Sequence, residues 1–213
     1  MFRKIFLSIL LLFVVSLNAC ADIFPYKTED IPIGTLGVYQ ANNSLKLFAK
    51  PDKKSDVIFD KTWSYLSITS SDYADNLFAI LKEKKELSYL YVTDIDEEFV
   101  QVIYNKKNNT TGWASKLDEF QFLPWITFYN MYGKKYGLKV LKGVPTEIYN
   151  LHSASSADSQ ILERLNYPKE IRLTTIQGNW ALITALDIDN QPKTGFIKWR
   201  GDNGELYLFP VIK

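Results

Sequence analysis

Few side chains in this sequence are equipped for covalent or metal chemistry. His152 is the single histidine and Cys20 the single cysteine among 213 residues. The usual nitrogen and sulfur ligand sets for zinc cannot be assembled from one of each, so no metal site is expected. His152 stands in Leu151-His-Ser153-Ala-Ser155. A serine nucleophile needs a histidine within hydrogen-bond reach and a third group to orient it, which neighbours in sequence seldom achieve. His152 is therefore expected to be an exposed loop residue.

Carboxylates are the remaining reactive type. Asp94-Ile-Asp96-Glu97-Glu98 is the densest acidic run, and Asp187-Ile-Asp189-Asn190 echoes it. Acids two apart on an extended segment share a face, the arrangement calcium ligation uses. Neither run has the spaced glycine and terminal glutamate of a calcium loop. Nothing marks one acid in an apolar pocket beside a solvated partner, as glycoside chemistry requires. Both runs are expected to be solvated turns. The ten glycines lie singly except for Gly201 and Gly204, so no phosphate-cradling loop is expected. The chain reads as a protein with no cofactor that does not act as an enzyme.

Aromatic residues are what the chain has in quantity: 5 Trp, 13 Tyr and 13 Phe, or 15%. Tyr39, Tyr149, Tyr167 and Trp199 are the candidate ligand-binding residues, lining a shallow groove of the kind that binds peptides between a loop and a strand. The run Trp125-Ile-Thr-Phe128-Tyr129-Asn-Met131-Tyr132 reads as packing, with Trp125 and Phe128 buried; the alternative is an exposed aromatic shelf. Nucleic acid is not an expected partner, because 25 Lys+Arg against 24 Asp+Glu leave a formal charge of only +1.

The elements that must position these residues fall after an apparent address. Arg3 and Lys4 precede an apolar run over 5–17, too short to span a bilayer and matching a secretory signal peptide. Ala19-Cys20-Ala21 fits cleavage before Asp22. Leu17-Asn18-Ala19-Cys20 resembles a lipobox, in which Cys20 would be acylated. Either reading exports the protein to the periplasm or cell envelope, with the membrane involved only through a lipid anchor at Cys20.

The rest of the chain carries a repeat. The stretches 45–58 and 146–161 each pass from alternating residues through a polar loop back to aliphatics. Phe99-Val-Gln-Val-Ile-Tyr104 leads through a turn to Thr111-Gly112-Trp113. Its counterpart, Trp180-Ala-Leu-Ile-Thr184, leads to Thr194-Gly195-Phe196. Both halves close on an apolar pair and proline, Phe122-Leu123-Pro124 and Leu208-Phe209-Pro210. Alternation with intervening turn residues predicts a hairpin in each half. Each glycine is expected to allow close approach just before an aromatic enters the core. The first half is longer, with an insertion expected at about 69–92 that includes the Leu81–Leu87 charge run, a hairpin turn or short helical turn on the surface.

The order of short strand, Lys-Pro-Asp loop, Ser-Asp-Val-Ile, hairpin and Thr-Gly-Trp resembles the bacterial SH3-like domain of exported proteins. In the first copy the opening reads Leu-Lys-Leu-Phe-Ala-Lys-Pro; the second lacks the proline. The resemblance implies an all-β protein of two tandem small SH3-like β-barrels, over 34–125 and 138–213, joined by a connector at 126–137. It implies a non-catalytic binding protein whose partner is cell-wall (peptidoglycan) peptide or an envelope protein. The alternative is a periplasmic structural or inhibitory protein acting through a protein–protein interface.

Overall fold

The computed structural model describes residues 22–68, 73–116, 121–188 and 190–213. The expected export segment with Cys20 lies outside the described residues, as does Asp189. The first half contains β1 (Gly37–Gln40), β2 (Ser44–Phe48), β3 (Val57–Thr62), β4 (Ile80–Lys82), β5 (Leu87–Ile95), β6 (Phe99–Asn105), β7 (Thr110–Ser115) and β8 (Phe122–Pro124). The second contains β9 (Leu138–Val140), β10 (Asn150–His152), β11 (Ile161–Arg164), β12 (Glu170–Gln177), β13 (Trp180–Leu186), β14 (Pro192–Lys198) and β15 (Leu208–Pro210).

These strands make two antiparallel sheets with one strand order. The first runs β3-β2-β7-β6-β5-β1-β8, with β4 added beside β5; the second runs β11-β10-β14-β13-β12-β9-β15. Position for position the paths correspond, and so do their irregularities. The register slips at Leu47/Phe48 and again at Leu151/His152. It slips at Val92/Asp94 and again at Leu173/Thr175. Bulges of this kind tighten the local twist and bend a strand, so the two sheets curve at matched places. The paths end on different strands, and no pairing among the described residues joins those ends. The molecule is all-β with two open sheets, and the closed barrels expected from the sequence are not formed.

Gly112 and Gly195 occupy the same position. Gly112 lies opposite Val102, and a Cβ there would sit 3.0 Å from the Leu47 Cβ. Gly195 lies opposite Ile183, and its Cβ would sit 3.0 Å from the Leu151 Cβ. The close approach is as expected, but the aromatics that follow do not enter the core. Alternation buries Gly112 and Ala114, and Gly195 and Ile197, leaving Trp113 and Phe196 half-buried on the other face.

The matched positions also explain His152. It takes the place of Phe48, and it packs edge-on against Trp180 (4.9 Å between centroids) as Phe48 packs against Phe99 (6.1 Å). His152 is 8% exposed and lies on β10, not in an exposed loop. Its expected solvent position is corrected by the strand that Trp180 covers.

Between β3 and β5 the first half has residues 63–86, where the second has only 165–169 between β11 and β12. The extra segment holds two short helices (Tyr65–Ile68 and Ala74–Leu77), β4 and a 3-10 turn at Glu83–Lys85. The insertion therefore ends before β5, not at 92. Residues 87–92 read as apolar without alternation because β5 is buried on both faces. Tyr89 and Tyr91 point into a core shared by the two halves, while Leu90 and Val92 point into a core of the first half alone.

The shared core is built around a helical segment, α-helical at Trp125–Phe128 and Lys134–Tyr136 with a π-helical turn at Tyr129–Gly133 between them. Trp125, Phe128 and Tyr129 are buried there, while Ile126 and Met131 face out. The Trp125 indole N–H donates to the Thr35 carbonyl at 2.8 Å. Residues 22–31 form a strap over both halves: Ile23 bridges Leu81 of β4, and Lys27 bridges Lys142 beyond β9.

Candidate functional site

A groove of about 360 Å³ lies between β9 and the 165–169 loop. Tyr149 and Tyr167 wall it, with Lys139, Pro168 and Lys169 around them. Tyr149 ends a 3-10 turn, Thr146–Tyr149, and its carbonyl accepts the Leu165 N–H at 2.8 Å, which holds the loop against the groove. On the far side of Tyr167, the Lys169 N–H donates to the Leu186 carbonyl at 2.8 Å. The Lys169 ammonium donates to the Ile188 carbonyl and to Asn190 Oδ1 at 3.2 and 3.1 Å. Tyr167 is thus fixed from both sides, with φ at +50° in the left-handed region that a bulky side chain seldom adopts. Its ring is 82% exposed. A strained backbone presenting an exposed aromatic costs stability, and such positions persist where surrounding contacts over-determine them.

Lys139 lines the groove from β9, but its ammonium turns away to the strap. Its ammonium sits 3.8 Å from the Phe24 ring centroid and 4.5 Å from that of Tyr26, so the strap grips it by two cation–π contacts. Burial and then the neighbouring Lys82 hold its pKa down at about 8, against the opposing pull of Asp30.

Asp187 fastens the loop from beneath. It is buried, and its carboxylate accepts the Asn166 N–H at 2.8 Å, the Ile188 N–H at 2.9 Å and the Lys193 ammonium at 3.0 Å. Lys193 also meets Glu163 at 2.7 Å. The expected solvated turn is corrected here, because Asp187 turns inward under the 165–169 loop. Burial pushes its pKa up, but the hydrogen bonds from Asn166, Lys193 and Ile188 prevail and hold it below the ordinary 3.8. Its contribution to stability is therefore present above that ordinary value and lost as the pH falls below it. Asp187→Asn should lower the thermal midpoint by several degrees at neutral pH, and the gap to the unaltered protein should narrow in acid. An equal gap at about pH 7 and about pH 3 would remove this role. Asp94 and Asp96 are exposed, and among the described residues no group of His, Cys, Asp or Glu is placed to hold a metal ion.

Tyr39 lies in a separate groove of about 310 Å³ in the first half, with Leu45 and Phe48 as its apolar floor and Lys53, Asn42 and Gln121 around it. Its ring is 6% exposed, and its hydroxyl donates to the Ser115 carbonyl at 3.3 Å. By strand register Leu45 takes the place of Tyr149.

Trp199 joins neither groove. It is fully buried, 4.4 Å from Tyr129 between ring centroids, and its indole N–H donates to the Gly178 carbonyl at 3.0 Å. Its place among the ligand-binding candidates is corrected, because a tryptophan just past a strand end was indistinguishable in sequence from one on a rim. Sequence reasoning passed over the strap residues Phe24 and Tyr26; the only signal was the apolar run Ile23-Phe-Pro-Tyr26 directly after the expected export segment. No protein-family model matches the chain, and neither does any curated protein.

Proposed function

We propose that this is an exported, non-catalytic binding protein of two SH3-like halves that recognises cell-wall peptide in the Tyr149–Tyr167 groove. The observation that carries this reading is Tyr167, an exposed aromatic locked at positive φ opposite a second tyrosine. Rigid tyrosines give large contact area at low entropic cost, which suits an extended peptide. Lys169 lines the groove and no carboxylate does, which favours a carboxylate-bearing ligand. The shared strand order and the matched glycines support the SH3-like reading of each half. The Arg3-Lys4 start and the apolar run before Ala19-Cys20-Ala21 support export, ending in cleavage or in a lipid anchor at Cys20. Among the described residues no helix is long and apolar enough to cross a membrane.

Co-sedimentation with isolated peptidoglycan at low and high salt tests the proposal. Tyr167→Ala or Tyr149→Ala should weaken sedimentation about thirtyfold, the effect of losing an aromatic anchor. Absence of sedimentation at both salts would sink it.

One observation favours a protein partner instead. The edge strands β3 and β11 expose Val57 and Ile58, and Ile161 and Leu162, at corresponding positions. Free edges with apolar side chains suit strand addition by another chain. Lysine at Ile58 and Leu162 would abolish capture of an envelope protein under that reading and leave wall binding intact under the first.

A further inference from the structure

A further cavity lies away from both grooves. It measures about 580 Å³ and opens between the strap, the Ala74–Leu77 helix and the turn joining β6 to β7. Its lining carries charges of both signs. Lys106 supplies the cation: it is half-buried, and its ammonium donates one hydrogen bond, to the Phe78 carbonyl at 2.7 Å. An ammonium has three donors, so two remain for a ligand.

Beside it stands Tyr91, 1% exposed and packed against Trp125. Among the described residues its hydroxyl meets no hydrogen-bond partner. The hydroxyl reaches the open cavity that Tyr91 lines, so it can meet a ligand there.

The acids of the lining that lack a described cation partner are Asp30 and Asp75. Asp30 uses Oδ2 to accept the Tyr26 and Lys27 N–H groups at 2.8 and 2.9 Å, which leaves Oδ1 without a protein partner among the described residues. No described cation is paired with Asp75. The other two acids in the lining are committed elsewhere, Asp22 to Lys82 at 2.9 Å and Glu29 to Lys27 at 2.7 Å.

We propose that this cavity binds a small zwitterion of the amino-acid class, its carboxylate on Lys106 and Tyr91 and its ammonium between Asp30 and Asp75. A cavity of this size has room for a free amino acid or a dipeptide. Burial holds the Lys106 ammonium below its ordinary pKa while Asp75 and then Asp30 oppose the shift, so both acids act on the same space. The site does not depend on the peptide groove, and its probes differ from peptidoglycan.

Calorimetric titration of the purified protein with alanine, lysine and alanyl-alanine tests the assignment, with acetate and methylamine as ligands of one charge. At least one zwitterion should bind, and at least ~10-fold more tightly than acetate or methylamine. Lys106→Met should weaken that binding by ~10-fold or more, and Tyr91→Phe by several-fold. Tyr91→Phe removes one oxygen and keeps the ring against Trp125, so it reports on the site even where Lys106→Met perturbs folding. The assignment is overturned if no zwitterion binds, if acetate or methylamine binds as tightly, or if Tyr91→Phe binds like the unaltered protein.

Discussion

Replacing Phe128 by alanine is expected to cost about 4 kcal/mol, the usual loss for a large aromatic taken from a packed core. Phe128 has no exposed surface, and five rings surround it: Tyr132 at 5.0 Å, Tyr89 and Phe209 at 5.7 Å, Trp125 at 5.8 Å and Tyr129 at 6.5 Å. Tyr89 belongs to the first sheet and Phe209 to the second, so the cavity left behind would touch both. The consequence is cooperative. Denaturant unfolding followed by tryptophan fluorescence and by far-UV circular dichroism should give one coincident transition, shifted to lower denaturant in the variant. Two separate transitions in the unaltered protein, or an unchanged midpoint after Phe128→Ala, would show that the halves do not share their stability.

Gly37→Ala should cost about 3 kcal/mol, the upper end for overpacking. Gly37 pairs with Pro124, where β1 meets β8, and a Cβ there would clash with the Leu123 carbonyl oxygen and come within 2.8 Å of the Pro124 Cα. Those are backbone atoms held in the sheet, and they have no rotamer into which to retreat. Gly133 is the informative contrast. A Cβ at Gly133 meets the side-chain ends of Leu138 at 2.8 Å and Leu173 at 3.1 Å, which can turn aside, and alanine favours the helical turn. Gly133→Ala should therefore cost about 1 kcal/mol or less. Equal losses in the two variants, measured by thermal unfolding, would mean that backbone rigidity at β1–β8 does not decide the outcome.

Much of the architecture was legible before any coordinates. Gly112 and Gly195, and Leu123-Pro124 and Phe209-Pro210, fall at matched places in two sheets of one order. Hairpins and close-approach glycines depend on neighbours a few residues away, so their marks lie in short stretches of chain. β5 failed to announce itself because a strand buried on both faces has no alternation to read. His152 was misplaced for a related reason: its cover is Trp180, distant in the chain, on a strand that only the sheet brings beside it.

The candidate site divides in the same way. Tyr149 and Tyr167 were singled out by residue type and do meet at one groove, while Tyr39 lies in another and Trp199 is in the core. The sequence by itself determined a poverty of catalytic side chains, a doubled β pattern and an aromatic-rich connector, because composition and local periodicity carry that information. Only the tertiary structure decided which aromatics face water, where Lys106, Tyr91 and two aspartates converge, and that the strap spans both halves. Exposure and convergence depend on which distant segments cross, and residues 22–31 cross sheets whose strands lie far along the chain.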